Sequence, residues 1–341
     1  MLVSGTAYRL YPAHLFFGVL HLQDGGVAEI PEKMPFKGQW GKAISTHMID
    51  DAPQSLPIYV DVVYLSVVEG LYYSITKRLP SECLEDISKR IDITSANLVV
   101  GMAPCGGLAV WISTKEKSEI IVWIKGTEID VSPEDYLPYE QPVSAEELCR
   151  KYINEDEDIQ RNLALNGLPP RDLFDNYMKQ FTYRYQVFFE HWNEDEEKWM
   201  QNEAKDKVIP EFEYLEEMLY DGTHDKLHDG GLMKYHEAGK PKKLAVKWHI
   251  KKSEYTVYFW FEDKMIREVF DRFYGAHPNT KTDLIIRIDP ENRKYELTLY
   301  RYGLKEPLII PEDVYQLIVF KNKFENYRSD NYNQPTGTWI W

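Results

Sequence analysis

From Pro57 the chain alternates with a period of two: Ile58, Val60, Val62 and Tyr64 take one phase, and Tyr59, Asp61 and Val63 the other. That period predicts a half-buried strand, and the turn residues Glu69-Gly70 before Leu71–Ile75 predict its hairpin partner. Cys83, Leu84, Ile87 and Ile91 follow at helical spacing, then Leu98–Val100 and Leu108–Ile112 alternate again around Pro104 and Gly106-Gly107. About 184 residues later the order recurs. Leu244, Val246, Trp248 and Ile250 lead through Lys-Lys-Ser-Glu into Tyr255–Phe261. Met265, Ile266, Val269, Phe270 and Phe273 make a helical stripe, and Leu284–Ile288 and Tyr295–Leu299 flank Asp289–Asn292. The order predicts an α+β protein of two antiparallel sheet-plus-helix units, each β-β-α-β-β, related by an internal duplication.

The remaining segments divide the chain. Ala13–Leu22, with a return after Asp24-Gly25-Gly26, adds edge strands, so residues 1–130 form the first unit. Pro133, Pro138 and Pro142 exclude helix and central strand, which makes 131–143 a linker. Ser144 with Glu147 three positions on predicts a capped helix running toward Leu165, before Gly167-Leu-Pro169-Pro170. Leu173, Phe174, Tyr177, Phe181, Tyr185, Phe188 and Trp192 read as one aromatic stripe on a further helix, followed by charged helices over Glu194–Lys205 and after Pro210. Residues 144–235 are thus expected as a helical insertion, and 236–341 as the second unit. The strand Tyr315–Phe320 lies within it, and the terminal Trp339-Ile-Trp341 is expected to pack into a groove.

Composition narrows the partners. With 341 residues, 43% apolar and 14% aromatic, the chain has material for two ordinary cores. A net charge of -15 disfavours nucleic acid and anionic membrane, whose phosphates need clustered Lys and Arg, and suits a basic protein partner. No apolar run approaches a membrane span. Cys83, Cys105 and Cys149 show no CxxC spacing and cannot all pair within one chain, so no disulfide framework is expected. As written the chain reads as cytoplasmic, or as periplasmic or lipid-anchored if a leader was removed.

Candidate chemistry is sparse. His224, His228 and His236 lie in an Asp- and Gly-rich stretch, with the first two at the i, i+4 spacing of zinc ligands. As an EF-hand the stretch fails, having Lys226 where a glycine is needed and Leu232 where a carboxylate is needed. A polar surface loop is the plainer reading. Cys105 sits in a Gly-rich turn where a thiol can be exposed, without a histidine in local reach, and a residue of an ordinary hairpin turn is the plainer account. Glu69 and Glu254 stand at equivalent hairpins, as paired carboxylates or simply as turn residues. P-loop, GxSxG, GxGxxG and HExxH signatures are absent from the sequence. No cofactor is called for.

Leu56–Glu69, Tyr72-Tyr73 and Leu79-Pro80, followed by Gly101-Met-Ala103-Pro104-Cys105-Gly106-Gly107 before Trp111, resemble a bacterial family known as domain of unknown function 2931. Its pattern has Gly-x-Ala-Pro-Gly-Gly at the turn, so Cys105 is an addition or substitution there. Tyr235–Pro241, Phe320–Glu325 and Gly337–Trp341 also resemble its long form. These residues mark turns and strand ends and transfer no catalytic role. The resemblance implies lipoprotein-like relatives encoded beside antibacterial effector systems, and hence a non-catalytic immunity protein that binds a toxin. The alternatives are a metal-dependent hydrolase using His224, His228 and His236, and a structural envelope-associated protein.

Overall fold

The structure, a computed structural model, describes residues 2–31, 38, 40–43, 55–90, 96–132, 144–189, 210–228, 232, 234–250, 253–275, 277–289, 292–304 and 306–323. The protein is α+β, and the chain divides into two units, Met1–Lys179 with Tyr220–His224, and Gln180–Leu219 with Asp225–Trp341.

In the first unit, β1 (Leu2–Ala7) pairs in parallel with β6 (Asn97–Ala103), and β7 (Gly107–Ser113) and β8 (Ser118–Lys125) extend that sheet antiparallel. A second sheet runs β3-β2-β4-β5-β9, from Val27–Glu29, Ala13–Leu22, Pro57–Ser66, Leu71–Arg78 and Thr127–Ile129. One core joins Leu20, Val60, Val62 and Ile75 of this sheet to Val100, Val110 and Ile124 of the other and to Leu84 and Ile87 of α1 (Ser81–Arg90). A second core lies on the opposite face of β4 and β5. There Val63, Leu65 and Tyr72 meet Leu148, Cys149 and Tyr152 of α2 (Ala145–Asn154). Burial on both faces explains why β4 ends in an unbroken apolar run, Val62-Val-Tyr-Leu65, where a one-sided sheet would alternate.

The capping box expected at Ser144 is present: its hydroxyl accepts from the Glu147 amide while the Glu147 carboxylate accepts from the Ser144 amide. The helix does not run on to Leu165. It stops at Asn154, and Asp156 caps a separate helix, α3 (Glu157–Asn166), by accepting from the amides of Asp158 and Ile159 at 3.1 and 3.3 Å. A side chain that satisfies free amides competes with helix continuation, and here it wins.

The aromatic stripe beyond it is a second correction. Among its described residues only Leu173–Tyr177 is helical, as α4, and Phe181–Phe189 is the strand β10. The steps of three and four in the stripe hid a period of two, since Phe181, Tyr183 and Tyr185 are the buried positions. The segment after Pro210 is likewise a strand, β11 (Glu211–Leu219), where a helix was expected. Among the described residues, then, the expected helical insertion holds helices in the first unit and strands in the second. The linker residues 133–143, Trp192, Glu194–Lys205 and Pro335–Trp341 lie outside the described residues.

In the second unit, β10 pairs in parallel with β16 (Thr282–Ile288) and antiparallel with β13 (His236–Ala238), while β17 (Tyr295–Tyr300) and β18 (Leu308–Ile309) extend the sheet beyond β16. A second antiparallel sheet contains β11, β14 (Pro241–Ile250), β15 (Ser253–Phe261) and β19 (Tyr315–Lys323) in that order. Trp248 of β14 stacks on Tyr255 with ring centroids 5.4 Å apart, and Phe259 meets Tyr295 edge-on at 6.3 Å, so aromatic rings join the two sheets. The helix α5 (Asp263–Tyr274) buries Ile266, Val269, Phe270, Phe273 and Tyr274, and Phe270 packs edge-on to Phe181 at 5.3 Å. Its amphipathic spacing was legible in the sequence. β12 (His224–Leu227) begins at His224, which pairs with Ser118 of β8.

Candidate functional site

A polar group in the second unit grows from the period of two in β14. Lys243, Lys247 and His249 share one phase, while Leu244, Val246 and Trp248 are buried in the other. A bulge in β11 between Phe212 and Tyr214 inserts Glu213, whose carboxylate Oε2 lies 2.7 Å from His249 Nε2 and 3.1 Å from Lys247 Nζ. Glu254, opposite His249 in the β14–β15 hairpin, reaches the same ammonium at 2.9 Å and accepts from Asn322 Nδ2 at 3.3 Å. Burial pushes the Lys247 pKa down, but its bonds to Glu254 and Glu213 outweigh that, and it stands above the usual lysine value. Burial pushes the Glu213 carboxyl up, and bonds to His249 and Lys247 more than reverse it. Aromatic rings border the group: Lys226 lies 3.9 Å over Tyr214, and Lys243 lies 4.7 Å over Tyr258 and 5.0 Å over Trp260.

Glu213, His249 and Glu254 bring one ligand atom each within 4.8 Å of one another, spacing a divalent cation could use. The Lys247 ammonium already stands between the two carboxylates. A cation would have to displace a charged lysine that both carboxylates already bind.

The three histidines singled out in the sequence have separate surroundings. His224 is buried in the first unit. His228, in the second, has Nδ1 2.9 Å from the Glu213 carbonyl oxygen. His236 lies in the second unit with Nε2 3.6 Å from Glu217 Oε1, an ion-pair distance longer than a hydrogen bond. Glu217 is buried and accepts from the Tyr185 hydroxyl at 2.5 Å. The stretch read as a loop supplies two short strands, β12 and β13.

The Cys105 turn is built tightly. Gly107 N donates to Pro104 O at 3.3 Å, and the two central residues have positive φ, 57° at Cys105 and 73° at Gly106, as a type I′ hairpin turn requires. Cysteine is a poor residue for that conformation, and Glu69 offsets the strain. Glu69 Oε2 accepts from the Cys105 amide at 2.9 Å and Oε1 from its thiol at 3.3 Å. Burial, then the bond to Glu69 and its charge, push the thiol up to about 11, so it is protonated at neutral pH and is not an activated nucleophile. Tyr64, fully buried beneath the turn, donates to the carbonyls of Ala103 at 2.6 Å and Gly107 at 3.0 Å. Glu69 and Glu254, considered together in the sequence, thus serve separate partners: a turn amide in the first unit and a lysine in the second.

Glu69→Gln is expected to speed alkylation of Cys105 by iodoacetamide at pH 8, because it removes the charge that holds the proton. Each unit of pKa lost multiplies the thiolate fraction about tenfold. Peptide mapping of the alkylated cysteines measures it, and an unchanged rate at Cys105 would contradict the role given to Glu69.

Sequence reasoning missed the Glu213–Lys247–His249 group. The alternation Lys243-x-x-x-Lys247-x-His249 signals it, but Glu213 reaches it only through a bulge, which no periodicity announces.

Residues 20–169 match the model of a family described as protein of unknown function, DUF2931. The matched stretch contains β3 to β9 and helices α1 to α3, and with them Glu69, Tyr64 and the Pro104–Gly107 turn. It ends before Tyr235–Pro241, Phe320–Glu325 and Gly337–Trp341, where the sequence resemblance also lay. No curated protein and no solved structure matches the chain. In the described residues no helix is long and apolar enough to cross a membrane.

Proposed function

We propose that the protein is a non-catalytic binding protein that captures a basic protein partner, an antibacterial effector of the kind an immunity protein neutralises. The observation that carries this reading is the internal neutralisation of its reactive groups. The Cys105 thiol is held protonated by burial and by Glu69, and the Lys247 ammonium is shared by Glu213 and Glu254. Groups engaged in this way hold strands and turns together. The chain as a whole carries a net charge of -15, whose field speeds encounter with a cationic protein.

The same reading includes an origin by duplication. Six strand pairings of the first unit recur in the second in the same chain order. β1 with β6 corresponds to β10 with β16, both parallel. β2–β4, β4–β5 and β5–β9 correspond to β11–β14, β14–β15 and β15–β19. β6–β7 and β7–β8 correspond to β16–β17 and β17–β18. The helix falls between the second and third strands of each β-β-α-β-β order, as α1 and α5. Duplicated modules that keep a fold while their exposed residues diverge suit recognition better than a single shared catalytic centre.

The test is co-expression with the product of an adjacent effector-type gene. Restored growth, together with a stoichiometric complex that weakens as salt rises, is the expected result. Growth arrest that persists despite both proteins being soluble would overturn the assignment.

A further inference from the structure

Among the described residues β13 pairs only with β10: Phe181 stands opposite Ala238, Thr182 opposite Glu237 and Tyr183 opposite His236. Three pairs make a short ladder, so side chains around the strand decide how firmly it is held. One anchor is exposed. The Tyr235 hydroxyl donates to Asp283 Oδ1 at 2.8 Å, and the Arg184 guanidinium, bonded to the same carboxylate at 2.7 Å, lies 4.6 Å over the Tyr235 ring. The other anchor is buried and contains His236.

Glu217 reaches this anchor from β11, a strand of the other sheet, and is only 4% exposed. Its Oε2 accepts from the Tyr185 hydroxyl at 2.5 Å, and its Oε1 lies 3.6 Å from His236 Nε2. The other ring nitrogen, Nδ1, is 3.3 Å from the Lys234 carbonyl oxygen. An acceptor therefore stands at each nitrogen. Either neutral tautomer turns a lone pair toward one of them, and only the imidazolium presents an N–H to both. The neighbouring hydroxyls cannot mend this, because Tyr185 gives its proton to Glu217 and Tyr183 gives its own to Gly239 O at 2.8 Å. Loss of the ring proton also leaves a buried carboxylate without its counter-charge, which the interior tolerates poorly.

The groups around the ring agree with that geometry. Glu217 faces it from β11, Tyr183 and Tyr185 from β10 at ring separations of 5.5 and 6.2 Å, and Asp225 of β12 adds a second negative charge. Lys234 and Glu237 flank it along the chain, and the buried Lys240 holds its ammonium 5.0 Å over Phe181. Burial lowers the His236 pKa, but Glu217, the Lys234 carbonyl and Asp225 outweigh it, so the ring titrates above 6.5. Burial and Glu217 hold the Tyr185 hydroxyl well above 10, so it keeps its proton throughout that range.

We propose that His236 is a proton-operated clip. As the imidazolium it fastens β13 to the Glu217 carboxylate and closes the edge of β10. On losing its proton it lets β13 lift from Phe181–Tyr183 while the rest of the second unit stays folded. The Tyr235 anchor keeps the segment tethered, since neither Arg184 nor Asp283 changes charge near neutral pH. The clip ties two sheets through one buried ion pair, so a single proton acts on both. The inference goes beyond the binding-protein reading and does not depend on what the protein binds.

The test is residue-resolved amide hydrogen exchange of the full chain from about pH 6 to about pH 8.5, corrected for the pH dependence of the chemical exchange step. Protection of His236–Ala238 and Phe181–Tyr183 is expected to fall as pH rises, with β14 and β16 unchanged. The opening constant grows about tenfold for each unit by which the pKa of the closed form exceeds that of the open one. His236→Gln is expected to abolish this pH dependence. Glu217→Gln keeps an acceptor for Tyr185 but removes the charge, and is expected to move the loss of protection to lower pH, in step with the imidazole titration followed by NMR. Tyr235→Phe is expected to lower protection of β13 by the same factor at every pH. The proposal is overturned by pH-independent protection in the unmodified chain, by a pH dependence that survives His236→Gln or vanishes with Tyr235→Phe, or by a titration that Glu217→Gln leaves in place. Loss of protection in β14 and β16 at the same pH would overturn it as well, because the opening would then be global.

Discussion

Gly41→Ala is expected to destabilise the first unit by roughly 2–6 kcal/mol, combining about 1–3 for a side chain forced into a left-handed backbone conformation with about 1–3 for overpacking. Gly41 has φ 78°, and a Cβ there would stand 2.0 Å from the carbonyl oxygen of Gly222. Both contacting groups are backbone, so no rotamer change relieves the clash. Gly222 is itself wedged against the rings of Trp40 and Trp111, which cross edge-to-face at 4.8 Å. Trp111 Nε1 donates to Asp221 O at 3.1 Å and Tyr220 stacks on Tyr177 at 5.1 Å, so Tyr220–His224 is an integral part of the first unit although it is distant in sequence. Against a total stability of about 5–15 kcal/mol, the loss is large enough to move the urea midpoint clearly. Gly25→Ala is the control: φ is 85° but nothing lies within 4 Å, so only the conformational cost of about 1–3 kcal/mol is expected. Equal midpoints for the two variants would show that the Gly41–Gly222 approach is not close.

The contrast between those glycines shows where the sequence is informative. Local alternation in Pro57–Ser66 and Tyr255–Phe261, the stripe of Ile266, Val269, Phe270 and Phe273, and the Ser144–Glu147 cap are each decided by neighbours within a few residues, and each is readable. Phe181–Phe189 was misread because its aromatic residues satisfy both periods, and pairing with Thr282–Ile288, about a hundred residues away, decides between them. The return of Tyr220–His224 to Trp111 and Gly41 has no local signature at all. The candidate chemistry behaved in the same way. His224, His228 and His236 are adjacent in sequence and have different partners in space, whereas Glu213, Lys247, His249 and Glu254 meet only because a bulge and a hairpin bring three strands into register. The mixed-charge cluster was hidden for a physical reason: strand pairing, not chain proximity, sets which side chains touch.

Two histidines, one in each unit, are expected to pull stability in opposite directions with pH. His14 on β2 is only 4% exposed, packs 4.7 Å from the Phe16 ring, and has Nδ1 3.2 Å from the Tyr152 hydroxyl. Burial holds its pKa down to about 4, against 6.5 when unfolded. Between those values the unfolded chain binds a proton that the native state refuses, so native stability falls as pH drops from 6.5 to 4. At 1.36 kcal/mol per unit the loss is about 3 kcal/mol. His14→Phe removes the titration and is expected to flatten the acid limb of the stability curve by that amount, read as the difference between the two proteins' urea-derived stabilities at pH 7 and pH 4. Parallel curves would mean that the imidazole is solvated in the native state. His236 has the other sign. Burial lowers its pKa, but Glu217, the Lys234 carbonyl and Asp225 together raise it above 6.5, so its stabilisation is complete below 6.5 and is lost as pH rises through the folded value. His236→Gln is therefore expected to leave the acid limb intact and to remove a decline on the neutral side, which separates the two contributions in one series of measurements.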